Sequence, residues 1–268
     1  MFPTLFRIGP VDVHSYGTLL MLGFVAAILL ARREARRVGL PADLPLDLGV
    51  WVLVAGVVFA RGLFVVLNWG DYAARPVEAL YVWRQGGLSF HGGLLGGVLA
   101  GVLFARRRKV SFWPVADMAA PGIALGYAIA RLGCLLNGCC YGVPTDLPWG
   151  IRFPLFPDSQ ITTSPSHPTQ IYAAVGSLAI LGLLLSVRGR LAVRGQLFLL
   201  YLMLYSIVRS GVEVLRRGVS AQPIVLGSVL TQAQVASAII FVAALLGFIW
   251  LGRAGRNRGK DRENEAAR

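Results

Sequence analysis

Between Ala130 and Gly142 the chain reads ARLGCLLNGCCYG, an apolar helical pattern that carries one arginine and then enters a turn of glycine and cysteine. The run leading to it from Asp117 has only Asp117 and Tyr127 as polar exceptions, so Arg131 falls inside or at the end of a hydrophobic layer. A guanidinium there costs about 2.5–3.5 kcal/mol on insertion scales and is retained where it faces a partner or a wet cavity. The chemistry this invites is anion binding. Arg209 is a second such residue and Arg61 a third. Each also has a plainer structural reading: Arg131 can pair with Asp117, Arg209 with Glu213 one helical turn on, and Arg61 can snorkel outward. Two arginines near the same end of their apolar runs leave net positive charge, and that favours a phosphate.

His91 opens another apolar run, LSFHGGLLGG, and an imidazole can exchange a proton near neutral pH. An interfacial histidine bonded to a backbone carbonyl explains it equally well. Gly92/Gly96, Gly93/Gly97 and Gly97/Gly101 are spaced four apart, which lets helices approach closely in lipid and says nothing of activity. Tyr16 and His14 sit where aromatic groups anchor at an interface, and His167 precedes Pro168 at a helix start. Cys134, Cys139 and Cys140 are all of the cysteines. Their CxxxxCC spacing is not one of the usual zinc patterns, so no metal site is expected. They form one disulfide and a free thiol, or stay reduced within the membrane.

Composition dictates the frame that must hold these residues. Of 268 residues 56% are hydrophobic and only 15% charged, with a mean hydropathy of +0.64. Apolar runs of about twenty residues follow one another with short breaks, the pattern of an all-α polytopic membrane protein. Seven transmembrane helices are expected, over roughly 16–31, 48–67, 88–105, 113–135, 170–187, 195–211 and 229–251, with a proline-punctuated loop from 136 to 168. Residues 1–252 form the membrane domain, and 253–268 a charged tail without aromatics, expected to be disordered. The first run is followed, not preceded, by its arginines, so it reads as a retained span and not as a cleavable signal.

The net charge of +13 belongs to topology and not to nucleic acid, because the basic residues cluster at the ends of apolar runs instead of forming a stripe. Loops on one side carry 17 Lys and Arg, those on the other 6, with Arg61, Arg131 and Arg209 inside runs. The bias predicts an outside N-terminus and a cytoplasmic C-terminus. Tyr16, His91, the Arg131 to Gly142 stretch and Arg209 would then all lie toward the outer face.

Taken together, VHSYG with Tyr16, SFHGG with His91, Asp117 fourteen residues before Arg131, RLG…NG…G from Arg131 to Gly142, HPTQIY from His167 to Tyr172, and Arg209 with Glu213 resemble the bacterial prolipoprotein diacylglyceryl transferases. The likeness extends to about Leu251. It implies a multi-pass enzyme of the bacterial cytoplasmic membrane that transfers the diacylglyceryl group of phosphatidylglycerol to the lipobox cysteine of a prolipoprotein signal peptide, releasing glycerol phosphate. His91 would act as base, with Arg131 and Arg209 holding the phosphate and its developing charge. Tyr16, Arg61, Asn137, Gly142 and Glu213 would bind substrate, and neither metal nor soluble cofactor is needed. Two positions depart from the family pattern: Cys134 stands where Asn is usual and Cys139 where Glu is usual. Losing that carboxylate leaves open a related transferase with a different acceptor. An anion transporter or channel is the rival from another class, and the inverted repeats that would mark it are not visible.

Overall fold

In lipid every backbone polar group must be satisfied within its own segment, which makes a helix the outcome for each apolar run. The computed structural model describes residues 1–9, 11–80, 87–155, 161–191, 193–216, 223–225 and 230–266. Arg84 and Arg217, counted in the charge bias, lie outside the described residues. Among the described residues, six helices are long and apolar enough to cross a membrane: α1 (Ser15–Val38), α2 (Leu44–Leu67), α5 (Phe112–Asn137), α6 (Thr169–Val187), α7 (Gln196–Val214) and the stretch Gln232–Gly255 of α8. Between α2 and α5 lie a single-turn α3 (Trp69–Tyr72), a 3-10 turn at Pro76–Leu80, and α4 (Phe90–Arg107). The expected third span is α4. It is helical over 18 residues, but five glycines, His91 and two terminal arginines leave it less apolar than the six.

Three features depart from expectation. An antiparallel hairpin, β1 (Thr4–Ile8) with β2 (Val11–His14), precedes α1, where no strand was anticipated. A second short ladder, β3 (Pro223–Val225) with β4 (Leu230–Thr231), precedes α8. The helix α8 runs Gln232–Ala266 and takes in most of the charged stretch expected to be disordered. Arg, Lys, Glu and Ala are good helix formers, so extending a helix already nucleated in the membrane costs little.

The chain forms two compact units, Met1–Ala31 with Ala116–Arg268, and Arg32–Val115. In the first, α1 lies antiparallel along α5 through small residues. A Cβ on Gly122 would meet Ala27 O at 2.7 Å, one on Gly126 would meet Gly23 O at 3.0 Å, and one on Gly133 would meet Leu19 Cβ at 3.2 Å. Ala120 and Ala124 of α5, Ile180 and Leu184 of α6, and Leu197 and Tyr201 of α7 make the buried core. Ser177 Oγ ties α6 to α5 by donating to Ala124 O at 2.8 Å. Asp117 is not an ion-pair partner of Arg131. Its Oδ2 accepts from Gly195 N at 2.6 Å and its Oδ1 from Phe198 N at 2.9 Å, so it caps the start of α7, where the helix dipole favours an anion.

In the second unit, α2 and α4 meet through Gly92 and Gly96, whose Cβ positions are filled by Phe59 O, Ala60 and Ala55 O. This is the expected use of the glycine spacing. Gly101 has open space instead, so the repeat is not one continuous interface.

Candidate active site

Arg131 lies near the end of α5, half-buried. Its guanidinium carbon stands 4.6 Å from the centroid of the Tyr127 ring, one helical turn earlier. Among the described residues it makes no ion pair. A cation in this setting, stacked on an aromatic face and lacking a carboxylate, retains its capacity for an anionic ligand.

Tyr127 connects this cation to α7. The rings of Tyr127 and Tyr205 meet edge to face at 5.5 Å, and the charges of Arg131 and Arg209 both reach the Tyr205 hydroxyl. Tyr201 extends the cluster, its ring 6.0 Å from that of Tyr205. Arg131 and Arg209 both approach this tyrosine cluster. Arg209 nevertheless differs in state, because its Nη1 bonds Glu213 Oε2 in the one-turn ion pair read from the spacing. Glu213 is 2% exposed, and its other oxygen accepts from Thr231 Oγ1 at 3.4 Å. A carboxylate so deep is tolerable only because it is paired.

Tyr16, at the start of α1, lies against Gly133, whose added Cβ would meet the Tyr16 Cα at 3.3 Å. Its hydroxyl is within electrostatic reach of Arg131 and of all three cysteines. Asn137 ends α5, two residues before Cys139, whose thiol donates to Cys134 O at 3.7 Å. Gly142 serves the backbone: its N donates to His167 O at 2.9 Å and Val143 N donates to Leu215 O at 2.8 Å. Any side chain at Gly142 would run into Leu215 O, Thr169 and His167. Thus Tyr16, Arg131, Asn137, Gly142, Arg209 and Glu213 fall in one unit, around the end of α5.

His91 and Arg61 belong to the other unit. His91 is exposed in the first turn of α4, its ring edge-on to Phe90 at 5.7 Å, and Ser89 caps that turn by accepting from Gly92 N. Arg61 is 7% exposed. It donates to Ala79 O at 2.7 Å, Gly87 O at 3.0 Å and Glu78 O at 3.2 Å, and its guanidinium lies 5.3 Å from the Tyr72 ring centroid. It braces a loop and does not snorkel.

The start of α6 and the cysteine turn contain groups that sequence reasoning overlooked. Thr169 Oγ1 donates to Cys140 O and Gln170 Nε2 to Cys139 O, each at 2.6 Å. In the HPTQIY segment these two residues, not the histidine, grip the turn. His167 instead shares a hydrogen bond of 3.1 Å between its Nδ1 and Tyr172 Oη, which also accepts from Trp149 Nε1 at 2.8 Å. Hydrogen bonds from the Cys134 and Cys139 thiols, aided by the charges of Arg216 and Arg131, hold the Cys140 thiol below the usual thiol range despite burial. The three sulfur atoms converge within 4.8 Å.

Residues 3–250 match the family described as prolipoprotein diacylglyceryl transferase. The chain is 37% identical over 257 residues to the phosphatidylglycerol–prolipoprotein diacylglyceryl transferase of Synechococcus elongatus, covering 93% of this chain and 87% of that one. The enzyme of the same name from Halalkalibacterium halodurans is 34% identical over 260 residues, covering 96% and 88%. That of Bacillus cereus strain B4264 is 39% identical over 241 residues, covering 88% and 89%.

Proposed function

Because the chain belongs to the prolipoprotein diacylglyceryl transferase family, we infer that it moves the diacylglyceryl group of phosphatidylglycerol onto the lipobox cysteine of a prolipoprotein, the first step of lipoprotein maturation. The observation that carries this reading onto the site is Arg131: a guanidinium at the end of a span, stacked on Tyr127, without a carboxylate among the described residues, and sharing with Arg209 an approach to Tyr205. The acceptor thiolate attacks the glycerol carbon bearing the phosphate ester, a C–S bond forms, the C–O bond breaks, and glycerol phosphate leaves. Charge grows on the departing phosphate, where Arg131 and Arg209 stabilise it more than in the ground state. Glu213 holds Arg209 in place, Tyr16 and Asn137 hydrogen-bond the headgroup, and Gly142 keeps the turn close to α6 and α7. Arg61 contributes by fixing the loop before α4. His91 takes the thiol proton, since an ordinary cysteine of pKa about 8.5 is largely protonated at neutral pH. The phospholipid carries the activated group, so the reaction calls for no metal or soluble cofactor.

We place the enzyme in the bacterial cytoplasmic membrane with seven spans, α4 counted as the third, and with residues 1–252 as its body and 253–268 as a cytoplasmic extension. The charge bias supports an outside N-terminus. Reporter fusions after Arg37, Lys109 and Arg194 should read cytoplasmic and one near Arg75 exterior. An exterior C-terminus would put the site on the wrong side for a secreted acceptor.

The activity is tested by incubating purified protein with labelled phosphatidylglycerol and a lipobox peptide. The expected products are a thioether-linked diacylglyceryl peptide and an equal amount of glycerol phosphate. No thioether, under conditions where the Bacillus cereus relative forms it, would overturn the reading. In the same assay His91→Gln should abolish transfer while phosphatidylglycerol still binds, and raising the pH should partly restore the rate by supplying thiolate. Unchanged turnover would remove His91 as the base.

A further inference from the structure

The transfer as written leaves three nucleophilic groups unused. Cys134, Cys139 and Cys140 are free thiols, Cys134 buried and the other two half-buried, and their sulfur atoms all lie within 4.8 Å of one another. The turn that gathers them is held from within and from outside. At its start Gly138 adopts φ +74°, and Cys140 itself is at φ +67°, a left-handed conformation that costs a non-glycine residue about 1–3 kcal/mol and persists only where the surroundings impose it. Cys139 N donates back to Cys134 O at 3.1 Å. From α6, Thr169 and Gln170, exposed by only 2% and 1%, bond the carbonyls of Cys140 and Cys139. With both main chains fixed, the thiols stand as a preorganised triad.

We propose that Cys134, Cys139 and Cys140 form a three-thiolate site for a soft d10 cation. Thiolates select ions of the Cu(I), Zn(II) and Cd(II) kind over hard ones, and a d10 ion imposes no geometry of its own. Metal–sulfur bonds of about 2.3 Å put the sulfurs of such a site roughly 3.8–4.0 Å apart, a closure that rotations about χ1 supply from the separations present. Binding releases the thiol protons and leaves a complex of net negative charge. Arg131 and Arg216, which both act electrostatically on Cys140, are the cations that make it tolerable there. Mg(II), which asks for oxygen ligands in octahedral array, has no such set to bind. The spacing CxxxxCC hid this site because metal patterns are read from pairs within one turn, whereas here a helix end and a folded-back turn supply the ligands.

The test titrates Cd(II) into the reduced, anaerobic protein in detergent, after its three thiols have been counted under denaturing conditions. Sulfur-to-cadmium charge-transfer absorption should rise and saturate at one ion per chain, and excess Mg(II) should neither produce it nor displace it. Cys140→Ser alone should weaken the affinity by at least about 10-fold, and the triple change Cys134→Ser, Cys139→Ser, Cys140→Ser should abolish the band. Three countable thiols without a saturating band would overturn the proposal. So would a Cys140→Ser variant that binds Cd(II) as tightly as the parent, because fewer than three sulfurs would then be holding the ion. These readouts are independent of transfer activity and of how the phosphate is bound.

Discussion

Arg61 and Arg131 both interrupt apolar helices, and from the sequence they pose the same question. In the unit formed by α2 to α4, Arg61 spends its donors on three main-chain carbonyls within residues 78–87 and lies over an aromatic ring besides. In the other unit, Arg131 has an aromatic ring but, among the described residues, no carboxylate. The cost of placing a guanidinium in a membrane is met in the first case by the protein's own backbone, whereas in the second it is met only in part. An intramembrane arginine is therefore not in itself a ligand site. What decides is how much of its hydrogen-bonding capacity the fold has already consumed. Arg209 stands between them, with one arm on Glu213.

The strongest break in this comparison would come from Arg131→Lys. Lysine keeps the charge and loses the planar fork, so kcat/KM should drop about 100-fold or more with the amount of folded protein unchanged; near-normal turnover would make Arg131 equivalent to Arg61. For Arg61→Gln the loss should appear in stability. Up to three charge-assisted bonds go and one can be regained, a cost of about 3 kcal/mol or more, read as a lower melting temperature in detergent. Specific activity per folded molecule should fall far less than for Arg131→Lys, and the reverse ranking would turn the contrast around. Arg209→Lys should be milder, about 10-fold in kcat/KM, because lysine can still pair with Glu213. Should it match Arg131→Lys, the two arginines act as an equal clamp. Smallest of all, Tyr205→Phe removes the hydroxyl that the charges of both arginines reach and should cost about 1 kcal/mol, roughly 5-fold in rate. No change at all would mean that Tyr205 contributes packing alone.

The spans were legible because lipid imposes length and apolarity on each one, and six of the seven expected runs carry both. The third was harder to read, since the glycines that let α4 meet α2 at Gly92 and Gly96 also dilute its hydropathy. Residue partnerships were legible only at helical distance. Arg209 with Glu213 follows from a spacing of four, and so, in retrospect, does the YxxxR pattern that places Tyr127 before Arg131 and Tyr205 before Arg209. That repeat in two spans was a signal available and unused. The plainer reading that pairs Asp117 with Arg131 fails because Asp117 accepts instead from Gly195 N and Phe198 N, backbone groups some eighty residues away that no side-chain pattern announces. The same applies to Thr169 and Gln170. The cysteine cluster depends on a left-handed Cys140, a conformation that nothing in the residue type favours.

Asp117 has one more effect, on depth. It pins the beginning of α7 to the beginning of α5, so the two helices run in the same direction from a shared origin. Arg131 stands fourteen residues along one and Arg209 thirteen along the other, counted from Asp117 and Gln196, and at 1.5 Å per residue both arrive about 20 Å from the pin. The carboxylate thus works as a plumb line dropped across the bilayer. A slip of one turn between α5 and α7 would offset the cations by about 5.4 Å, and a single phosphate could then no longer rest on both.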